Sequence, residues 1–167
     1  MPSNCDQTDA GNYVVKHNPE AYYTPINALC QLQDVPLTSM NPNSLPAFSF
    51  VTPNLCNDTH DCSVNTGDTW LQNFIPQITA SADYKAGKTV IFLTWDEDDG
   101  SSGNHVPTIV LSPYTTPGTQ SSTAFNHYSL LRTTEQLLGQ PLLGNATSAT
   151  SMTQAFHLGG ASVPATT

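Results

Sequence analysis

The segment 67–81, GDTWLQNFIPQITAS, carries its apolar residues at Trp70, Leu71, Phe74, Ile75 and Ile78. That spacing gathers them on one face at helical period and predicts an amphipathic helix. Asp68 is placed to cap its start, and Pro76 to kink or divide it. A second helical pattern spans 125–139, FNHYSLLRTTEQLLG, with a stripe of Leu130, Leu131, Thr134, Leu137 and Leu138. Asn126 supplies its N-cap and Gly139 its stop, and Arg132 and Glu135 are spaced for a modest surface ion pair. TVIFLTW (89–95) is β-branched and uninterruptedly apolar, which predicts a strand buried on both faces. VPTIVLSP (106–113) predicts a second strand, and PAFSFVTPN (46–54) a shorter third, Phe48 to Thr52, ended by Pro53.

Between these elements the pattern is irregular. Residues 1–47 are polar with an aromatic cluster at Tyr13, Tyr22 and Tyr23. The expected division is a main domain over 1–145 and a Ser/Thr/Ala-rich tail over 146–167. Met152, Phe156 and Leu158 predict that this tail packs loosely before it frays. Strand, helix, strand, strand, helix is an α/β order. Three strands are few against the ~5–6 of a typical sheet, so part of a sheet is expected to be missing.

Composition narrows the classes. With 38% hydrophobic and 10% charged residues, 13 Pro and 10 Gly, the chain reads as one loop-rich globular domain. Four basic residues against 13 acidic give a net charge of -9, which excludes nucleic acid as a partner. The same charge repels a phosphate ester unless bound cations invert the local field. Cys5, Cys30, Cys56 and Cys62 show no zinc-type spacing. They predict disulfides and an oxidising, extracellular compartment. Of three possible connectivities, proximity favours Cys5–Cys30 with Cys56–Cys62. Asn57 and Asn145 sit in glycosylation-acceptor patterns. No stretch is long and apolar enough to span a membrane, and the start, MPSNCDQTDAG, lacks signal-peptide character. A secreted composition without a signal implies either a mature chain or a missing gene start.

Two loops could carry chemistry. TWDEDDGSSGNH, Thr94 to His105, leaves the clearest strand at its carboxyl end, where ligands bind in open α/β sheets. A hairpin-like return would bring His105 back near Asp96, so Asp96, Glu97 and His105 form a candidate divalent-metal half-site. A solvated acidic turn is the competing reading, and it is kept for Asp98 and Asp99. In CNDTHDC a Cys56–Cys62 bridge would present Asp58, His60 and Asp61, either for function or as a surface turn. His17 and His127 read as structural residues, and His157 as incidental. No GxSxG elbow, GxGxxG or P-loop occurs, and no nucleophile can be named.

KHNPEAYY, LPAFSFVTPNLCNDTHDCSVNTGDTWL, VIFLTWDEDDG with NHVPTIVLSP, and FNHYSLLRTTEQLLGQPLLGNA together resemble the bacterial phosphoesterase family. That family groups phospholipase C-like enzymes with acid phosphatases on an alkaline-phosphatase-like fold. The resemblance runs from about Pro2 to Leu158. It implies the C-terminal part of a three-layer α/β/α sheet and a metal-dependent phosphoric ester hydrolase. By the same resemblance Asp96 and Glu97 ligate a divalent metal ion. His105 becomes a site residue, with Asn104 standing where the family has Asp. His60 contacts the phosphate or donates a proton, and His17 lies near the phosphate. The family's first metal-binding pair and its Ser or Thr nucleophile belong to an N-terminal half with no counterpart here. The chain by itself is therefore expected to be inactive. Two readings stay open beside this one: a non-catalytic secreted module that binds calcium for stability, and a homodimer in which each copy supplies half a sheet.

Overall fold

The computed structural model describes residues 1–158. They divide into two compact units, Met1–Thr79 and a second that begins at Ala80. The expected frayed end, residues 159–167, lies outside the described residues.

In the first unit, 3-10 turns at Val15–His17, Pro19–Tyr22 and Thr24–Ile26 lead into helix α1, Asn27–Gln33. Pro19 and Pro25 open their turns, where a missing N–H costs nothing and φ is preset. The disulfide Cys5–Cys30, with Cα atoms 5.2 Å apart, ties the N-terminal stretch to α1, and Cys30 is fully buried. Buried Asn18 donates to the Asp34 carboxylate at 2.6 Å and to Tyr13 Oη at 3.1 Å. Tyr13 in turn donates to the Asp6 carbonyl at 2.5 Å. Burial raises the pKa of the Tyr13 phenol above its ordinary value.

Helix α2 spans Val64–Thr79 and runs through Pro76. It starts earlier than Asp68, which lies within the helix and does not cap it. The Ser63 carbonyl accepts from the amides of Thr66 and Gly67 instead. Trp70 stacks on Phe74 at 4.6 Å, and Phe74 and Ile78 are buried as the helical period predicts. The expected strand Phe48–Thr52 does not form, and Phe48 and Phe50 are exposed. An extended segment needs a neighbouring edge to pair its N–H and C=O groups. Among the described residues, β1 and β2 pair only with each other.

In the second unit Ser81 caps the short helix α3, Ala82–Lys85, by accepting from the Tyr84 amide at 3.2 Å. Gly87 then turns the chain with φ +76°, and the Tyr114 ring occupies the space that a Cβ would need. Strands β1, Ile91–Thr94, and β2, Thr108–Leu111, pair antiparallel from Ile91↔Leu111 to Thr94↔Thr108. The Thr94 and Thr108 hydroxyls meet at 2.9 Å. The expected full burial of the first strand is not observed: all four β1 residues are only half-buried. A two-stranded sheet among these residues has no third strand to bury its edges.

Helix α4, His127–Leu137, begins with a full capping box between Asn126 and Ser129, and the chain leaves it at Gly139, φ +65°. Its buried face differs from the leucine stripe. Ser129, Thr133 and Glu135 are buried, whereas Leu131 is exposed. The expected Arg132–Glu135 ion pair is absent among the described residues. Glu135 accepts from the Leu143 amide at 3.2 Å, and Arg132 donates to the carbonyls of Ala146 and Thr147. The segment after residue 145 packs tightly up to Leu158: Ala146, Met152 and Leu158 are buried. Thr133 Oγ1 donates to the Ser129 carbonyl at 2.7 Å and accepts from the Met152 amide at 2.9 Å, which explains why α4 turns a polar face inward.

The described chain is therefore a loop-rich mixture of helices with a two-stranded antiparallel sheet, consistent with a partial α/β fold. Thr133→Val keeps the shape of the side chain but strands the buried Met152 N–H. The expected loss is about 1–3 kcal/mol, read by chemical denaturation.

Candidate functional site

The candidate residues lie on two loops, one in each unit. In the first unit, the disulfide Cys56–Cys62 closes a tight loop with Cα atoms 4.7 Å apart. Asn54 Oδ1 accepts from the amides of Cys56 and Asn57 at 3.1 and 3.0 Å, and the Leu55 carbonyl accepts from the Asp61 amide. Thr59 sits at φ +76°, a left-handed conformation that a β-branched residue rarely adopts. Gly67 of α2 permits this: a Cβ there would meet the Thr59 methyl and stand 3.0 Å from the Asn57 carbonyl.

This loop and the turn Val15–His17 place two histidines and two carboxylates together. His60 Nδ1–H donates to Asp61 at 2.6 Å, and His17 Nδ1 stands 3.5 Å from Asp58. The other Asp58 oxygen accepts from the His60 amide at 2.8 Å. The two imidazole rings lie edge to face, 5.9 Å apart. His17, read from sequence as structural and from the resemblance as a phosphate neighbour, thus stands beside His60. An imidazole whose Nδ1 faces a carboxylate has Nε2 left to exchange a proton or to bond an anionic oxygen.

In the second unit, the predicted hairpin return exists. Residues 95–107 connect β1 to β2 and are shaped by Asp98. Its carboxylate accepts from the amides of Gly100, Ser102 and Asn104, each at 2.8 Å. Asn104, at φ +61°, returns a side-chain acceptor to the Asp98 amide. Hydrogen bonds from the Gly100 and Ser102 amides lead the causes that hold the Asp98 carboxyl below its ordinary value. Asp99 is lowered as well, chiefly by the Ser101 hydroxyl. Asp98 is thus a structural keystone, beyond the mere surface charge its sequence suggested. The Asp-Asp-Gly signature of an Asx turn was the signal that could have revealed it.

Asp96 and Glu97 are exposed, and neither carboxylate bonds another described residue. Adjacent unpartnered carboxylates have the hard-oxygen chemistry that suits Mg²⁺, Mn²⁺ or Ca²⁺. His105 is exposed on the returning arm. The one group of three or more ligand atoms within 4.8 Å among the described residues is Cys5, Cys30 and Asp34, and its two cysteines are bonded to each other. Asp96, Glu97 and His105 therefore do not close into a three-ligand centre. The two carboxylates fit a divalent cation in donor type and supply only part of its coordination. Sequence reasoning also missed that His127, at the start of α4, bonds the Asp96 carbonyl at 2.8 Å.

The Phosphoesterase family profile matches residues 4–141. The chain belongs to the phosphoesterase family. Its sequence is 38% identical over 153 residues to a phosphatidylinositol-3-phosphatase of Mycobacterium tuberculosis, a match covering 86% of this chain and 48% of the relative. It is 32% identical over 148 residues to an acid phosphatase of Aspergillus fumigatus, covering 83% of this chain and 33% of that protein. An acid phosphatase of Aspergillus niger is 30% identical over 148 residues, with 83% and 35% covered. The phosphoesterase chain thus spans half or less of the length of these curated relatives. No solved structure matches it.

The low Asp98 pKa has a consequence for pH. A carboxyl depressed in the folded state adds stability that is present above its unfolded pKa and is lost as pH falls through the folded value. The Gly100, Ser102 and Asn104 amide shifts should therefore stay constant as pH falls to the ordinary value of 3.8 and move together only below it. Asp98→Ala should abolish this shared titration in an amide NMR pH series.

Proposed function

We propose that this chain is part of a secreted, metal-dependent phosphoric ester hydrolase. The observation that carries the reading is the pair of histidines, His17 and His60, each with Nδ1 against an aspartate, in a chain of the phosphoesterase family. Phosphatase names on several relatives support phosphate esters as the substrate class. The two disulfides support an oxidising compartment.

In this reading Asp96 and Glu97 contribute oxygens to a divalent cation, and the remaining ligands come from protein outside this chain. The cation supplies charge neutralisation, which a phosphate ester needs beside a chain of net charge -9. His60, with Asp61 on Nδ1, presents Nε2 to the phosphoryl oxygens or to the leaving oxygen. His17, beside Asp58, serves the same anion. His105 is a further polar contact on the returning arm. By the family resemblance, a Ser or Thr nucleophile is expected from protein outside this chain. Monoester and phospholipid diester substrates both remain within the reading.

A second reading, a dimerising or metal-binding module without catalysis, draws support from exposed apolar side chains such as Leu32, 75% exposed, and Phe50, 69% exposed. A chromogenic phosphate ester assay with added Mg²⁺, Mn²⁺ or Ca²⁺ separates the two. The 167-residue chain should show negligible turnover, and a longer protein that contains it should show turnover dependent on the metal. There His60→Ala should lower kcat by about 10²-fold or more. Robust turnover by the chain alone would sink the incomplete-site reading. A longer protein that binds metal but hydrolyses nothing would favour the module.

A further inference from the structure

Asp96 is the second residue past β1, and its carboxylate bonds no other described residue, so its aim depends on its backbone. That backbone is bracketed on both sides. Upstream, Thr94 is locked in the ladder to Thr108. Downstream, Asp98 gathers the amides of Gly100, Ser102 and Asn104. At Asp96 itself, the carbonyl oxygen lies 2.8 Å from His127 Nε2, a residue 31 positions away in sequence. A carbonyl only accepts, so Nε2 carries the hydrogen and donates it.

His127 is held by a rigid element. It is the first residue of α4, fixed by the capping box between Asn126 and Ser129. Nearly two turns further on, buried Thr133 joins α4 to the Met152 amide. The imidazole is therefore a strut from a packed helix to the backbone of the residue that leaves the sheet.

We propose that His127 is a positioning residue: its Nε2–H fixes the Asp96 backbone and thereby sets the direction in which the Asp96 carboxylate is offered to a divalent cation. The inference rests on the reading of Asp96 as a ligand given above. It assigns His127 no contact with cation or substrate. Partners that orient a metal ligand typically govern about 10–100-fold of metal affinity, because a flexible ligand must be ordered on binding.

The test uses the ¹⁵N-labelled 167-residue chain with Mn²⁺ as the probe, and reads paramagnetic broadening of backbone amides against metal concentration. Broadening should centre on Asp96 and Glu97. Asp96→Asn should abolish it. His127→Ala should shift the titration to about tenfold higher Mn²⁺, with β1 and β2 amide shifts unchanged. His127→Gln, whose side-chain amide can donate to the same carbonyl, should recover most of the affinity. If Asp96→Asn leaves Mn²⁺ binding intact, the ligand reading falls and takes this inference with it. If Asp96→Asn abolishes binding while His127→Ala leaves it unchanged, the ligand reading stands and the positioning role is overturned. A Gln variant as weak as the Ala variant also overturns it, because the donated hydrogen would then not be what matters.

Discussion

Side-chain oxygens that accept backbone amides hold the two candidate loops in shape. Asn54 takes the amides of Cys56 and Asn57, Asp58 takes that of His60, and Asp98 takes those of Gly100, Ser102 and Asn104. Backbone amides must find acceptors somewhere, and in most domains a sheet or helix provides them. Here the described sheet has two strands, so short polar side chains take over the task. The consequence reaches the chemistry directly. Two of the candidate residues, His60 and Asp96, stand beside the residues that hold their backbone.

The two loops achieve order by different means. The first is closed covalently, wedged against Gly67, and carries a strained Thr59. The second has no covalent closure. It is held by charge-assisted bonds to one carboxylate, and those strengthen as the carboxyl ionises. Their sensitivities therefore differ: reductant threatens the first, and acid the second. In a strongly acidic chain neither loop has a lysine or arginine to steady it, so neutral amides perform the stabilisation that cations perform elsewhere.

What the sequence made legible followed local rules. Asn126 and Gly139 mark the ends of α4 because capping depends on neighbours three or four positions away. The pairs Cys5–Cys30 and Cys56–Cys62 followed from proximity, and the hairpin from the short link between two apolar runs. The failures are matters of long-range partnership. Phe48 to Thr52 has strand character but pairs with no strand among the described residues. Glu135 looked like a surface charge because nothing nearby in sequence announces the Leu143 amide. Ser129 and Thr133 lie outside the predicted leucine stripe, and nothing nearby in sequence announces that Thr133 is met by the Met152 amide. Among the candidate residues, Asp96, Glu97 and His60 were marked by their own loops, and His17 by the family resemblance alone. The His127 bond to Asp96 had no local signature.

Buried Asn18 adjoins His17 in the chain. Its amide satisfies the Asp34 carboxylate and the Tyr13 hydroxyl, and it meets no reacting group. Yet the neighbouring imidazole hangs from the backbone beside that anchored residue. Mutational tolerance in this region should thus follow distance along the chain from a buried anchor as much as distance from the chemistry. A survey of variants that scored only the histidines and carboxylates would overlook the buried anchor next to one of those histidines.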